Sequence, residues 1–256
     1  MKYTFSLMAG LITALICSCT SATKLMTYNI HGCVGTDGIN DPARIAGVIR
    51  KTGAETVALQ EVDKNTQRSG GKNQAAMIAK QLNYHYLFGK TINRSSGEYG
   101  NALISRYPLE LVDNFPISYL HERRCVLVAK VLAPKPYYVL ATHFDHTAAS
   151  EEARVKSVQL IKEYLEKNPR YRPAVLMGDL NSLPHRQAIP ALREAGFRIL
   201  NDAVPGMITW PAEKPKYLLD YILIWKGDNA DLKKCYVVDE SVASDHRPVV
   251  VHVVLP

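Results

Sequence analysis

Apolar runs, each closed by a short polar stretch, follow one another from Leu25 to the end of the chain. Their periodicity alternates between strand and helix, which predicts an α/β protein. Helices are predicted to begin near Asp41-Pro42, Asn73, Ser150 and Gln187. The predicted strands are Leu25–Ile30, Thr56–Gln60, Tyr84–Phe88, Ala102–Ser105, Leu109–Asn114, Val126–Leu132, Tyr137–Thr142, Ala174–Met177, Tyr221–Ile224 and Pro248–Val254.

Six of the polar stretches carry groups suited to chemistry. In order they are Tyr28-Asn29-Ile30-His31, Leu59-Gln60-Glu61-Val62-Asp63, Thr142-His143-Phe144-Asp145, Gly178-Asp179-Leu180-Asn181, Leu219-Asp220-Tyr221-Ile222 and Ser244-Asp245-His246-Arg247-Pro248. Carboxylates, carboxamides and histidines thus recur where buried strands should end. This combination suits one hard divalent cation and a phosphate ester.

Composition and charge limit the possible classes of protein. The chain has 256 residues, of which 47% are hydrophobic and 21% charged, and it has no low-complexity tract. No Pro/Gly/Ser-rich linker separates the motifs, so we predict one domain. The formal net charge of +7 suits an anionic substrate or a membrane surface. A dense Lys/Arg run of the kind that binds nucleic acid is absent from the sequence.

The first residues resemble an export signal. Phe5–Ile16 is mostly apolar but too short for an ordinary membrane span. The following Ile16-Cys17-Ser18-Cys19 resembles a bacterial lipobox, in which Cys19 would become the lipidated N-terminus. This predicts an exported lipoprotein anchored in the bacterial envelope, with a signal over 1–19, a tether over 20–24 and the domain over 25–256. The alternative is an ordinary signal cleaved near Ala22, which leaves a periplasmic or secreted protein.

Three cysteines follow Cys19, namely Cys33, Cys125 and Cys235. An odd number at wide spacing indicates neither a disulfide framework nor a zinc site. We predict buried free thiols, while one bridged pair stays open in an oxidising compartment.

The six motifs and their order resemble the endonuclease/exonuclease/phosphatase superfamily. It includes exonuclease III-like repair nucleases, pancreatic-type deoxyribonuclease, inositol polyphosphate 5-phosphatases and neutral sphingomyelinases. The resemblance spans about residues 25–255, and Phe144 departs from the leucine typical of the family. It implies a four-layer α/β/β/α sandwich of two packed, mainly antiparallel sheets. The site would lie at the edge where strand ends converge.

The resemblance also implies a metal centre. Glu61 would be the principal ligand, joined by Asn29 and Asp245. Oxygen ligands with few carboxylates suit Mg²⁺ or Mn²⁺, with water and substrate phosphate completing the shell. Taken alone, Glu61 would more often be a surface residue or the partner of an arginine. The other five motifs favour the ligand role.

Five further residues are predicted to be catalytic. His246 would donate to a phosphate oxygen or exchange a proton, and Asp220 would fix its tautomer. Asp179 would polarise or deprotonate the attacking water, and Asn181 would orient that water or bind phosphate. His143 would contact the scissile phosphate and stabilise the charge that develops there. The general base stays open between Asp179 and His246.

Substrate contacts are predicted at Asn101, within a segment that resembles the family, and at two arginines, Arg124 and Arg154, as phosphate clamps. Asp145 and His146 are candidates for a supporting role around the site. Each arginine is more often an exposed or structurally paired residue.

The predicted activity is metal-dependent hydrolysis of a phosphodiester by in-line attack of water, with a monoester also open. The substrate would be a nucleic acid or a phospholipid or glycolipid head group. A nucleic acid is the first candidate, from the positive charge and the common activity of the family. A lipid phosphodiester is close behind, because the predicted export and membrane anchor suit it and because the segments 28–38 and 68–71 resemble small bacterial members grouped with glycosylphosphatidylinositol lipid-remodelling proteins. The alternative is an exported, non-catalytic phosphate-ligand-binding protein of the same fold. No obligate protein partner is indicated.

Overall fold

The structure, a computed structural model, describes residues 22–227 and 229–256. The predicted signal over 1–19 and its Cys19 lie outside these residues, so export and lipid anchoring stay predictions. Among the described residues, no helix has both the length and the apolar character needed to cross a bilayer.

Twelve strands and four α-helices form the described part of the chain. In chain order they are β1 (Thr23–Asn29), α1 (Pro42–Thr52), β2 (Thr56–Lys64), α2 (Gln74–Leu82), β3 (His85–Arg94), β4 (Gly97–Ser105), β5 (Leu109–Ile117), β6 (Arg124–Val131), β7 (Tyr137–His143), α3 (Glu151–Lys167), β8 (Ala174–Asp179), α4 (Ala188–Glu194), β9 (Phe197–Ile199), β10 (Asp220–Trp225), β11 (Asp231–Val237) and β12 (Val249–Val254).

Local capping chemistry sets the predicted helix boundaries. The Asp41 carboxylate accepts from the N–H of Ala43 at 2.8 Å, and α1 ends at Gly53 with a left-handed φ of 65°. The Asn73 side chain likewise accepts from the N–H of Ala76 at 3.1 Å and begins α2. Both predicted starts are therefore confirmed.

The strands form two six-stranded sheets. The first has the order β11-β12-β1-β2-β4-β3 and the second β5-β6-β7-β8-β10-β9. Each sheet contains one parallel pair, β1 with β2 and β7 with β8, and the remaining pairs are antiparallel. A helix connects the members of each parallel pair, α1 in the first sheet and α3 in the second.

Alternating side chains along the strands pack in two directions. Leu25 joins the core between the sheets, where it meets side chains such as Leu127 and Leu176. The next residue, Met26, packs in the core beneath α1 and α2, with Ile45 and Ile78. Val158, Ile161 and Leu165 of α3 cover the second sheet. The predicted α/β/β/α sandwich of mainly antiparallel sheets is confirmed.

The three cysteines beyond Cys19 are free thiols. Cys33 and Cys125 are buried, as predicted, and Cys235 is half-buried. Burial raises the pKa of all three thiols, so they stay protonated and unreactive at neutral pH.

Strand direction brings the polar motifs to one edge of the sandwich. Asn29, His143 and Asp179 are the last residues of β1, β7 and β8. β10 and β12 run antiparallel to β8 and β1, so their first residues lie at the same edge. Asp220 opens β10, and His246 lies just before β12. The topology alone therefore gathers these side chains.

Candidate active site

A cleft of about 630 Å³ opens at this edge of the sandwich. Seven predicted site residues line it, namely Glu61, Arg124, His143, Asp179, Asn181, Asp245 and His246. Asp220 lies just beneath, fully buried, and Asn29 is also buried. The structure therefore brings together nine residues from all six motifs and the start of β6.

The Asp179 carboxylate is the hub of the site. Its Oδ2 accepts from Asn29 Nδ2 at 3.1 Å, and it lies 3.4 Å from His143 Nε2 and 3.7 Å from His246 Nε2. Its other oxygen accepts from the N–H of Asn181 at 2.9 Å. Burial raises the pKa of Asp179, although the neighbouring His246 opposes that rise.

His246 is held by Asp220. The two join through Nδ1 and Oδ2 at 2.9 Å, and neither is more than 5% exposed. Burial by itself would lower the pKa of His246, but the Asp220 and Asp179 carboxylates outweigh it and raise that pKa. Asp220 thus places the Nδ1 proton and directs Nε2 toward Asp179, the geometry predicted from the sequence.

Asn29 connects two carboxylates. Its Nδ2 donates to Glu61 Oε1 at 3.0 Å as well as to Asp179. Its Oδ1 accepts from the N–H of His31 at 3.1 Å, which fixes the orientation of the amide. In this arrangement Asn29 acts as a hydrogen-bond donor between Glu61 and Asp179. Its role as a metal ligand through Oδ1 stays a prediction.

A β-bulge directs Glu61 into the cleft. We predicted that the strand ends at Gln60, but β2 continues to Lys64. The pairing of β2 with β4 shifts between Leu59 and Val62, so two residues of β2 oppose the single Asn101. Glu61 is the second of them and has a left-handed φ of 59°. Such a conformation is costly for a residue other than glycine and often marks a functional position.

The donor set fits a hard divalent cation. Among the described residues, neither Glu61 nor Asp245 has a Lys, Arg or His nitrogen within 4.0 Å. Carboxylates that line one cleft without a cationic partner favour the binding of a cation there. Asp245 is held in place by Ser244 Oγ at 3.4 Å and Trp210 Nε1 at 3.4 Å.

A second cluster also has metal-like spacing. Ligand atoms of Asp179, Asp220 and His246 lie within 4.8 Å of one another. However, Asp220 and His246 already use Oδ2 and Nδ1 on each other, and Asp220 is fully buried beneath the cleft. We therefore favour Glu61 and Asp245 as the oxygen ligands.

Arg124 sets the tautomer of His143. Two groups compete for the acceptor nitrogen of the His143 ring, since Arg124 Nη1 lies 3.3 Å from Nδ1 and the Asn181 amide lies 3.0 Å from Nε2. We favour acceptance at Nδ1 from the charged guanidinium, which has only donors. The ring proton is then on Nε2, which faces Asp179 and the cleft, and the Asn181 amide turns its oxygen toward it. Burial, and then the charge of Arg124, keep the pKa of His143 well below its usual range. His143 is thus a neutral N–H donor positioned for a phosphate oxygen.

This assignment predicts the effect of Arg124→Met. Nitrogen-15 spectra of the imidazoles should show His143 protonated at Nε2 in the wild type and as a mixture of tautomers in the variant. Loss of a group that orients a functional histidine should lower kcat by about ten- to a hundredfold. The exposed neighbour Arg123, changed to Met, serves as the control and should retain both properties. A wild-type ring protonated at Nδ1 would contradict the assignment.

Two predicted substrate contacts lie elsewhere. Asn101 is buried opposite the bulge and donates to the carbonyl of Cys125 at 3.2 Å, which links the two sheets. Arg154 donates from α3 to the carbonyls of Asp145 and Thr147 at 2.7 and 2.9 Å. Neither residue lines the cleft. Their contacts are structural, and their substrate roles stay predictions.

Asp145 joins the two loops that border the cleft beside Arg124. Its carboxylate accepts from the N–H groups of Leu120 and His121 at 2.7 and 3.1 Å, and from Ser150 Oγ at 2.8 Å. Burial by itself would raise the pKa of Asp145, but these donors outweigh it and hold the pKa well below its usual range. Asp145 therefore supports the site by holding its loops.

The Asp145→Asn variant tests this role through stability. The amide would face N–H donors with an NH₂ group, so unfolding free energy at pH 7 should fall by roughly 3 kcal/mol. Because the folded-state pKa is depressed, the stabilisation is present above the unfolded pKa of about 4 and is lost as pH falls below it. Urea titrations should therefore show a smaller difference in unfolding free energy between variant and wild type at pH 3 than at pH 7. An equal difference at both pH values would exclude the carboxylate as its source.

Sequence reasoning missed the walls of the cleft. One wall carries Trp210 and Tyr217, whose rings stack with centroids 5.9 Å apart. The other carries Arg94 and Tyr99, with the Arg94 guanidinium 4.8 Å from the centre of the Tyr99 ring. The only signal for the first wall was its closeness in sequence to Asp220. In the second wall, Tyr99 begins the segment around Asn101 that resembles the family, whereas Arg94 had no signal.

Comparisons with known proteins agree with this geometry. A family model described as the endonuclease/exonuclease/phosphatase family matches residues 26–246. YbhP of Escherichia coli strain K12 is 24% identical over 217 residues, which cover 78% of this chain and 84% of YbhP.

Two solved structures show the same fold. The endonuclease/exonuclease/phosphatase from Bacteroides vulgatus superposes with a TM-score of 0.74 at 20% identity, covering 92% of this chain and 100% of its own. The mannosyl-6-phosphatase Bt3783 of Bacteroides thetaiotaomicron has a TM-score of 0.73 at 17% identity, covering 91% of this chain and 100% of its own. Since the family model spans most of the sequence and contains the whole cleft centre, the chain belongs to the endonuclease/exonuclease/phosphatase family.

Proposed function

We propose that the protein is a divalent-metal-dependent phosphodiesterase. Members of its family are hydrolytic phosphoesterases. The observation that carries the proposal is the Asp179 hub, where one carboxylate oxygen lies within 3.7 Å of Asn29, His143 and His246. Glu61 and Asp245 line the same cleft without a cationic partner among the described residues.

Glu61 and Asp245 would hold Mg²⁺ or Mn²⁺, with Asn29 supporting Glu61. When bound, the cation would neutralise charge on the phosphate and stabilise the leaving oxygen. His143 offers Nε2–H to a non-bridging oxygen of the phosphate, and the Asn181 side-chain amide lies beside it, 3.0 Å from His143 Nε2. These donors act in a largely buried setting, where their interaction with developing charge is strong.

Asp179 is the better candidate for the general base. Asp220 and Asp179 raise the pKa of His246, which favours its protonated form and a role as donor. Burial raises the pKa of Asp179, which makes its carboxylate a stronger proton acceptor than an exposed aspartate. In the proposed step, water transfers a proton to Asp179 as its oxygen bonds to phosphorus. The bond from phosphorus to the leaving oxygen breaks on the opposite side.

A phosphomonoester is the second candidate substrate. One solved structure with the same fold is named a mannosyl-6-phosphatase, so the fold accommodates monoester hydrolysis. A non-catalytic binding protein is the third reading, and a damaged ligand set would favour it. The set is intact here, because Glu61, Asp179, Asp245 and His246 all line one cleft.

A substrate screen of the purified domain tests the proposal. It compares bis-nitrophenyl phosphate with nitrophenyl phosphate, and plasmid DNA and RNA with sphingomyelin and phosphatidylinositol. Each is assayed with Mg²⁺, with Mn²⁺ and with EDTA. We expect metal-dependent cleavage of the diester that exceeds cleavage of the monoester. Cleavage unaffected by EDTA, or binding of every substrate without turnover, would overturn the proposal.

A further inference from the structure

We infer that one wall of the cleft is a binding site for a second anionic group of the substrate. This cationic wall consists of Arg94 at the end of β3, Arg124 at the start of β6 and His146 after β7, all of which line the cleft. The inference rests on the proposed function, since it describes what a phosphate ester must carry next to the scissile phosphate.

Arg94 is a positioned charge without an acidic partner. Its guanidinium lies over the Tyr99 ring at 4.8 Å, and it forms no ion pair or hydrogen bond with any residue that the structure describes. Tyr99 is itself buried, with Arg68 5.8 Å from its ring centre. A stacked arginine that faces a cleft keeps its fork of donors available for a phosphate or carboxylate.

Arg124 and His146 supply further unused donors. Arg124 is 3% exposed, and its buried Nε–H has no acceptor among the described residues. Glu122 forms an ion pair with Arg124, with Oε1 2.8 Å from Nη1, so part of the Arg124 charge is neutralised. His146 Nδ1 lies 3.2 Å from Arg124 Nη2 and must accept, which leaves the His146 proton on Nε2. A buried donor without an acceptor is costly, so the polar groups on this side of the cleft are incompletely satisfied.

The position of this wall separates it from the reacting phosphate. The His143 ring lies between them, because its Nε2 faces Asp179 while its Nδ1 faces Arg124. A scissile phosphate at the Asp179 hub would meet Nε2 of His143. The donors of the cationic wall then face a different group, one position further along the substrate. Trp210 and Tyr217, which also line the cleft, carry no charge, so the donors for a second anion are those of Arg94, Arg124 and His146.

The substrate class that fits is a phosphate ester with a neighbouring phosphate. A nucleic-acid strand and a phosphorylated lipid head group share this chemistry. Two pairs of ligands distinguish a nucleic acid from a lipid head group. The two members of each pair differ only by one phosphate. The first pair is thymidylyl-thymidine with and without a 5′-phosphate, and the second is glycerophosphoinositol with and without a 4-phosphate.

Calorimetric titration with saturating Mg²⁺ measures the four dissociation constants. The protein carries His246→Ala to prevent turnover, and thermal unfolding checks that each variant is folded. We expect the added phosphate to strengthen binding at least about tenfold in one pair, the scale of a charge-assisted hydrogen bond. The pair in which the added phosphate strengthens binding shows whether the substrate is a nucleic acid or a lipid head group. Adding Arg94→Gln to this variant should remove the gain in affinity. The dissociation constant of the ligand without the added phosphate should stay unchanged.

Arg170→Gln is the matched control, because Arg170 also lies over a tyrosine ring, Tyr171 at 5.5 Å, but does not line the cleft. It should retain the full gain. The inference is overturned if neither pair shows a gain, or if Arg94→Gln weakens both members of a pair equally. These results come from binding alone, and bis-nitrophenyl phosphate has no second anionic group. A failed hydrolysis screen is therefore distinguishable from a failed second site.

Discussion

His246→Ala is expected to lower kcat for a phosphodiester at least about a hundredfold, the scale of losing one proton-transfer or charge-stabilising group. His246 is 5% exposed, and its Nε2 lies 3.7 Å from Asp179. Because the site is buried, an exposed side chain cannot easily take the place of the lost imidazole beside Asp179. Steady-state kinetics with bis-nitrophenyl phosphate measure the loss. The exposed His85, changed to Ala, is the control and should leave kcat unchanged.

Coupling with Asp220 gives this prediction a sharper form. Asp220→Asn alone should also lower kcat, because the amide no longer fixes the proton on His246 Nδ1 or balances its positive charge. In a background that already carries His246→Ala, the same substitution should have little further effect. If Asp220→Asn lowers kcat by the same factor with and without His246→Ala, Asp220 does not act through His246.

Glu61→Gln is expected to lower turnover by a comparable factor because it weakens metal binding. The substitution keeps the shape of the side chain and removes its charge, so the Mg²⁺ concentration needed for half-maximal activity should rise. At a fixed low Mg²⁺ concentration, turnover should fall at least about a hundredfold. Metal titration of activity, together with calorimetry of Mn²⁺ binding, separates lost affinity from lost catalysis.

The matched control for Glu61 is Glu98→Gln. Glu98 also lies in the first sheet, but it pairs with Lys64 and Lys90 at 2.9 and 3.3 Å and does not line the cleft. Its loss should leave the metal dependence unchanged. If Glu61→Gln leaves both activity and Mn²⁺ affinity near the wild-type values, its assignment as ligand is wrong.

Features encoded by neighbouring residues were predictable from the sequence. The start of α1 follows from Asp41 and its end from Gly53, since capping needs only local residues. The central strands were also predictable, because an apolar run is a local feature of the sequence. β9 and β11 were missed: β9 has three residues, and β11 is mostly half-exposed, so neither shows a clear alternation.

Features that depend on distant pairing were not predictable. The bulge at Glu61 exists because β2 must pair with β4 on both sides of it, and nothing in the β2 sequence shows that shift. The residues of the six motifs could be named because they resemble a family. Their hydrogen-bond roles, such as the donor role of Asn29 or the effect of Arg124 on His143, needed the packed sheets. Arg94 belongs to no motif and lines the cleft from the end of β3, where it lies over the Tyr99 ring.

Anomalous scattering from crystals soaked in Mn²⁺ shows whether distant stretches of the chain form one divalent-metal centre. We expect one strong peak in the cleft, with oxygens of Glu61 and Asp245 within about 2.3 Å of it, as hard-cation ligation requires. A cleft without a peak at saturating Mn²⁺, or a peak bound to Asp220 and His246 instead, would contradict this expectation.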